Sequence, residues 1–153
     1  MVTVEVIISE EVAGQLPVEQ NHLHDYAVSV FENSGFHDVD VNIVFVGDER
    51  MTSLNETYKK RAGTTDVLSF NLSDGDSGCL EGEVYVSLER AEKQAADYTV
   101  SFSEEVVRLV THGLLHLTGR VHDTPETEQS MNEDVDSLIQ NFWLGGERKE
   151  YIT

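Results

Sequence analysis

The stretch Thr111-His112-Gly113-Leu114-Leu115-His116-Leu117-Thr118-Gly119-Arg120-Val121-His122-Asp123 decides how the rest of the chain is read. On a helix of about 3.6 residues per turn, His112 and His116 stack on one face, one turn apart, where two imidazoles reach one metal ion. Gly119 stands where a helix takes a left-handed residue beyond its C-cap. His122 then returns from outside the helix as a third nitrogen. Three protein nitrogens leave one position of a tetrahedral zinc open, the mark of a catalytic rather than a structural site. The spacing predicts one Zn2+ per chain, held by His112, His116 and His122.

The pattern His-x3-His-x2-Gly-x2-His is that of the metzincin proteases, with one letter changed. A protease places its general-base glutamate directly after the first histidine, and here Gly113 stands there. Glycine inside a helix costs about 1 kcal/mol relative to alanine, so close approach or open space is expected at that point. The competing reading is a buried core helix carrying unrelated histidines, because Leu109, Leu114, Leu115 and Leu117 make it apolar nearly all round. The third histidine beyond the turn glycine favours the metal. His22, His24 and His37 have no such company and are read as surface or core residues. Cys79 is read as a loop thiol with no metal-like partner near it in sequence.

Length and composition bound the rest. A chain of 153 residues suffices for one domain with a sizeable core. Its single cysteine excludes an internal disulfide framework and points to a reducing, cytoplasmic setting. The first residues, Met1 to Glu11, lack a basic start and a long apolar run, so no signal peptide is expected. No apolar stretch reaches membrane-spanning length, and no membrane partner is expected. The net charge of −19 opposes non-specific nucleic-acid binding over the whole surface but leaves room for a local basic patch. Lys59-Lys60-Arg61 is the one dense cationic cluster in the sequence.

Patterning along the chain predicts an α+β domain with a four-stranded mixed sheet and about five helices. Alternating Val2, Val4, Val6 and Ile8 form a first strand. Pro17 opens a helix with Leu23, Tyr26, Ala27, Val30 and Phe31 on its apolar face. Val39 to Val46 is a second strand, and Asp48 caps a short helix through Tyr58. Thr65 to Phe70 and Gly82 to Ser87 are strands three and four, antiparallel neighbours across a short turn-rich loop from Asn71 to Leu80 that contains Ser73 to Gly78. Ser87 caps a helix over Leu88 to Tyr98. Ser101 and Glu104 form a capping box for the histidine helix. Thr124-Pro125 starts a last helix with Met131, Val135, Leu138, Ile139 and Phe142 as its stripe, ending at Gly145-Gly146.

Several blocks carry a resemblance to one family. His112 to His122 matches His-Gly-x-Leu-His-Leu-x-Gly-Tyr-Asp-His, the signature of the YbeY family, with Arg120 and Val121 where that family usually has Tyr-Asp. Thr65-Asp66-Val67-Leu68-Ser69-Phe70 matches a second block. Leu54-Asn55 through Tyr58, and Gly82-Glu83-Val84-Tyr85-Val86-Ser87, resemble two more. Together they run in the family's order from about Val41 to Leu138. The resemblance implies a zincin-like metallohydrolase domain and a zinc-dependent endoribonuclease acting on single-stranded RNA. It further implies work in ribosomal RNA processing, at the 3′ end of the small-subunit RNA, and in ribosome assembly. The expected partners are ribosomal RNA and small-subunit proteins or assembly factors. Lys59 stands where the family has arginine, so a phosphate contact there keeps its sign and loses the planar two-pronged fork. Lys59 and Arg61 are the candidate catalytic residues, through phosphate contact. Asp123 is a candidate for orienting an imidazole, or simply a helix-start acid, and Asp66 is read as structural.

Two other readings stand beside this one. The first is a metallohydrolase of another substrate class, such as a peptide, which the missing glutamate opposes. The second is a ribosome assembly factor whose metal is mainly structural. The acidic surface suits docking on basic ribosomal proteins.

Overall fold

In a computed structural model, which describes residues 1–73, 78–120 and 123–144, four strands form one mixed sheet flanked by helices. The elements run β1 (Val2–Ile8), α1 (Gln20–Glu32), β2 (Asp38–Val46), α2 (Asp48–Leu54), β3 (Val67–Asn71), β4 (Cys79–Ser87), α3 (Leu88–Tyr98), α4 (Phe102–Leu117) and α5 (Pro125–Leu138). The α2 and α5 helices each continue into a wider π-type turn, Asn55–Lys59 and Ile139–Leu144. The sheet order is β1-β2-β4-β3. β1 with β2 and β2 with β4 are parallel, while β3 is antiparallel to β4. The expected α+β class, four-stranded mixed sheet and five helices are all present.

Both faces of the sheet are covered, which is why β2 reads as an almost continuous apolar run. Val39, Val41, Ile43 and Phe45 face the main core with α1 and α4. Val44 and Val46 face a smaller cluster with Met51 of α2 and Leu68 of β3. Trp143 closes the main core, stacked on His22 with ring centroids 3.8 Å apart and meeting Tyr26 edge-on at 5.6 Å.

Local capping chemistry is followed closely where no distant group competes. Ser87 accepts from the Arg90 N–H at 3.2 Å and starts α3. Thr124 and Thr127 exchange both bonds of a capping box, with Pro125 in the first turn of α5. Ser101 accepts from the Glu104 N–H at 3.0 Å, but the return bond from the Glu104 side chain is not among those made by the described residues.

Four boundaries differ from expectation, each for a tertiary reason. α1 starts at Gln20, not Pro17. The Pro17 carbonyl accepts from the Ser103 hydroxyl of α4 at 3.2 Å, so Leu16 and Val18 are laid on the core before the helix begins. Gly47, not Asp48, is the N-cap of α2. The Asp48 carboxylate accepts from the Ser87 hydroxyl at 2.6 Å, and Glu89 reaches across from α3 to take the Asp48 N–H at 2.9 Å. β3 begins at Val67 rather than Thr65, because Asp66 bends ahead of the strand with its carboxylate on the Val67 N–H at 2.8 Å. β4 begins at Cys79 rather than Gly82, since its parallel neighbour β2 extends it beyond the reach of β3. Cys79 is therefore a strand residue. Of the expected turn at Ser73 to Gly78, residues 74–77 lie outside the described residues, as do Gly145 and Gly146 beyond the last helix.

Candidate metal centre

The centre is built on α4, which packs against β3 and β4. From Thr111 to Leu117 every side chain is buried except His112 and His116, which are half-buried and emerge on one face. Their ring centroids lie 5.0 Å apart with the planes tilted by 42°. The helix ends in a Schellman motif: the Gly119 N–H donates to the His116 carbonyl at 3.0 Å and the Arg120 N–H to the Leu115 carbonyl at 3.2 Å. Gly119 has φ +97° and nothing near its absent Cβ, so conformation alone demands glycine there. The chain reverses at this point, as the spacing required. His122, the expected third nitrogen, lies outside the described residues.

Gly113 is a glycine for the other reason. A Cβ on it would lie 2.5 Å from Val84 Cγ1, 3.2 Å from Val67 Cγ2 and 3.3 Å from Ser69 Oγ. The Ser69 hydroxyl donates to the Gly113 carbonyl at 3.0 Å, fixing the helix on the sheet at this point. Gly82 matches it further along the contact, where a Cβ would meet the Phe70 carbonyl at 2.7 Å and Leu117 Cδ2 at 2.8 Å. Asn71 then donates to the Leu117 carbonyl at 3.1 Å, satisfying one of the helix-end acceptors. The position where a protease carries its glutamate is thus turned into the sheet and filled by Val84.

His112 and His116 line a cleft of about 590 Å³ together with Lys59, Arg61, Ser69 and Asn71. Lys59 Nζ donates to the Ser69 carbonyl at 3.2 Å and sits 4.9 Å from the centroid of the Phe70 ring. The loop bearing Arg61 is tied by Asn55, whose side-chain amide donates to the Gly63 carbonyl at 3.0 Å, while the Asn55 carbonyl accepts from the Arg61 N–H at 3.3 Å. Lys60 takes the left-handed conformation at φ 56° to make the turn. Asn55 Oδ1 is buried with no partner among the described residues.

The other basic residues near α4 are already paired with α5. Arg108 bonds Asp136 at 2.6 Å, and Arg120 bonds Asp134 and Ser130. The cations that line the cleft are therefore Lys59 and Arg61, with the carboxylates of Asp66 and Glu128 in the same lining. Asp66 receives the Val67 N–H and, at 3.2 Å, the Gln94 amide, a structural role. Asp123 is exposed beside the start of α5, with the Thr127 hydroxyl 3.4 Å away. Glu105, buried on α4, has its carboxyl pushed above the ordinary range by loss of hydration, against the pull of Arg108.

One group of potential ligands escaped the sequence pattern. His37, Asp38 and Cys79 present ligand atoms all within 4.8 Å of one another, a set able to hold a metal ion. Asp38 and Cys79 are direct register partners in β2 and β4. Spacing along one segment carries no trace of such a pair; only the strand pairing does.

The profile of a family described as "Endoribonuclease YbeY" matches residues 8–143. A protein of that description from Desulforamulus reducens is 34% identical over 149 residues, covering 90% of this chain and 97% of the relative. One from Symbiobacterium thermophilum is 40% identical over 114 residues, covering 69% and 73%. A solution structure of a protein from Thermotoga maritima superposes with a TM-score of 0.62 at 23% identity, over 94% of this chain and 93% of that one, and shares the fold.

Proposed function

Because the chain belongs to the Endoribonuclease YbeY family, we propose that it is a metal-dependent endoribonuclease that cleaves single-stranded RNA, in processing of the 3′ end of small-subunit ribosomal RNA and in ribosome assembly. The observation that carries this reading is the meeting of a histidine pair with the two cations Lys59 and Arg61 on one cleft. His112 and His116 fit the part of zinc ligands: two borderline nitrogen donors on one face of a helix held rigidly by its sheet. In this reading His122 completes the set. A zinc ion there supplies a water of lowered pKa and a Lewis acid for a phosphoryl oxygen.

The chain's own residues do the rest. Lys59 and Arg61 neutralise the backbone phosphates at the scissile bond, Lys59 as a point charge steadied on the Ser69 carbonyl and Arg61 as a fork. The Val84 packing that excludes a carboxylate at position 113 removes the general base of a peptidase. The strongly negative surface elsewhere keeps RNA confined to this cleft and suits docking on basic ribosomal proteins in the cytoplasm. No helix among the described residues is long and apolar enough to cross a membrane.

The test is cleavage of a single-stranded ribosomal RNA fragment by purified protein before and after chelation, with zinc added back, alongside His116→Ala. Activity should vanish on chelation, return with zinc, and be lost in the variant together with one metal equivalent. Full cleavage by chelated protein would overturn the proposal.

A further inference from the structure

We propose that His37, Asp38 and Cys79 form a second metal site, distinct from the histidine helix, that takes a borderline-to-soft divalent ion of the zinc class. The three residues sit where β2 and β4 begin side by side, and their ligand atoms already lie within 4.8 Å of one another. A tetrahedral ion with bond lengths of about 2.0–2.3 Å needs its donors about 3.5 Å apart. The remaining ångström is within the reach of side-chain rotation at exposed positions.

The backbone brings the two segments together without help from an ion. The N–H groups of His37 and Asp38 both donate to the Gly78 carbonyl, at 2.9 and 3.1 Å. Asp38 and Cys79 are paired in register. Gly78 has φ +90°, and a Cβ on it would lie 2.5 Å from His37 Nε2, so the imidazole rests on bare glycine backbone beside Cys79. The turn requires glycine at 78 through its positive φ, and the bare backbone leaves the space that the ring occupies. The site is thus held by strand register on one side and by a glycine cradle on the other, and only the side chains need adjust.

Donor chemistry selects the ion. A thiolate with an imidazole favours zinc-class metals, whereas carboxylates alone would suit calcium or magnesium. Cys79 and Asp38 also open onto a cleft of about 320 Å³ that Asp40 and Glu81 line as well, with room for water as a fourth donor and negative charge that draws a cation in. Asp38 Oδ1 accepts from the Met1 amine at 3.1 Å, and Oδ2 lies 3.7 Å from His37 Nδ1.

The histidine helix offers nitrogen donors and no thiol, so the two sites differ spectroscopically. The full chain, stripped of metal, is titrated with Co2+ while the thiolate-to-cobalt charge-transfer band in the near ultraviolet is followed. The wild type should take up two equivalents, with the band saturating at one. Cys79→Ser should lose the band and one equivalent while keeping zinc-dependent RNA cleavage. His37→Ala and Asp38→Asn should each weaken the band-forming equivalent at least about tenfold, since removing a donor from a three-residue set costs on that order. His116→Ala should leave the band intact, which separates this site from the one proposed for catalysis. Absence of the band in wild type overturns the proposal. So does a band of unchanged affinity in His37→Ala and Asp38→Asn, which would mean an adventitious thiol adduct of Cys79.

Discussion

Every residue from Lys59 to Gly63 is exposed, whereas all of Thr111 to Leu117 is buried apart from the two histidines. Both segments line the same cleft. The helix places its imidazoles through packing on every other side: Leu114 and Leu117 in the main core, Gly113 against Val84, and Ser69 bonded to the helix backbone. The loop places its cations through four hydrogen bonds, one from Lys59 Nζ to Ser69 and three that run through Asn55. Metal ligands must stand within tenths of an ångström of their geometry, while a phosphate contact by a long cation tolerates movement. Substitutions in the helix should therefore register first in stability, and substitutions in the loop in binding.

The largest effect is expected at Gly113. Alanine there would gain about 1 kcal/mol of helix propensity. It would also force a Cβ to 2.5 Å from Val84 Cγ1, in a place where Val84 is fully buried. Overpacking of this kind costs about 1–3 kcal/mol, which outweighs that gain where buried Val84 cannot give way, so Gly113→Ala should be net destabilising by up to about 2 kcal/mol in urea unfolding. Gly113→Glu adds an ionised carboxylate to the clash and should cost more than about 3 kcal/mol. The sharpening experiment is a double-mutant cycle with Val84→Ala, which removes the offending methyl. The pair should cost less than the sum of its members. A Gly113→Ala protein as stable as wild type would show that the helix seat gives way, and the contrast with the loop would lose its basis.

Next in size is Asn55→Ala, which attacks the loop through the buried residue that anchors it. Losing the bond to Gly63, whose exposed carbonyl then turns to water, should cost about 0.5–1.5 kcal/mol. RNA affinity should fall as well, although Lys59 and Arg61 are untouched, because the turn that carries Arg61 is released. Stability and affinity measured on the same preparation separate the two consequences. Lost stability with unchanged affinity would mean that the cations need no fixed loop.

These two positions also mark how far the sequence could be read. A glycine inside a strongly apolar helix announces a close contact by its helix cost, so the need for space at Gly113 was legible; the identity of Val84 as the occupant was not, because it arrives from a strand 29 residues away. Caps set by neighbours, Ser87 and Thr124, were legible for the same local reason. Pro17 and Asp48 carry equally strong local signals, yet bonds from Ser103, Ser87 and Glu89 shift both helix starts. Cys79 and His37 were read as residues without partners, since only the pairing of β2 with β4 brings them together. Arg108 and Arg120 pair with aspartates of α5, and no local pattern around either arginine announces those partners. Periodicity and capping report contacts within one turn or one hairpin; register between distant strands leaves no such mark.

A smaller effect tests burial on the helix side. Glu105 lies on α4 with its carboxyl pKa raised from 4.5 by desolvation. A raised folded-state pKa means that its contribution to stability is fully present below the unfolded value and is lost as pH climbs through the folded one. Glu105→Gln keeps the shape and cannot ionise. Its stability should match wild type near pH 4 and exceed it at pH 7, with the gap opening just above the ordinary carboxylate range. Melting temperatures of both proteins across that window check this. A constant offset at all pH values would assign the difference to packing rather than charge.

The smallest effect on stability is expected from removing the loop's charges. Lys59 and Arg61 are exposed, and among the described residues the Lys59 amine makes one hydrogen bond and one contact with the Phe70 ring. Surface substitutions of this kind usually stay within about 0.5 kcal/mol, so Lys59→Ala with Arg61→Ala should unfold close to wild type. Binding should behave differently. Each phosphate neutralised by a cation releases counterions, and losing two such contacts should weaken single-stranded RNA binding and reduce the slope of log affinity against log salt by about 1–2. Arg108 and Arg120 cannot compensate while paired to α5. Lys59→Arg provides the opposite variant: a fork in place of a point charge should keep the salt slope and raise affinity. The decisive reading is slope against stability in one series. A double variant that keeps its salt slope would move RNA away from this cleft, and one that loses several kcal/mol of stability would make the loop a structural element like the helix, erasing the contrast between them.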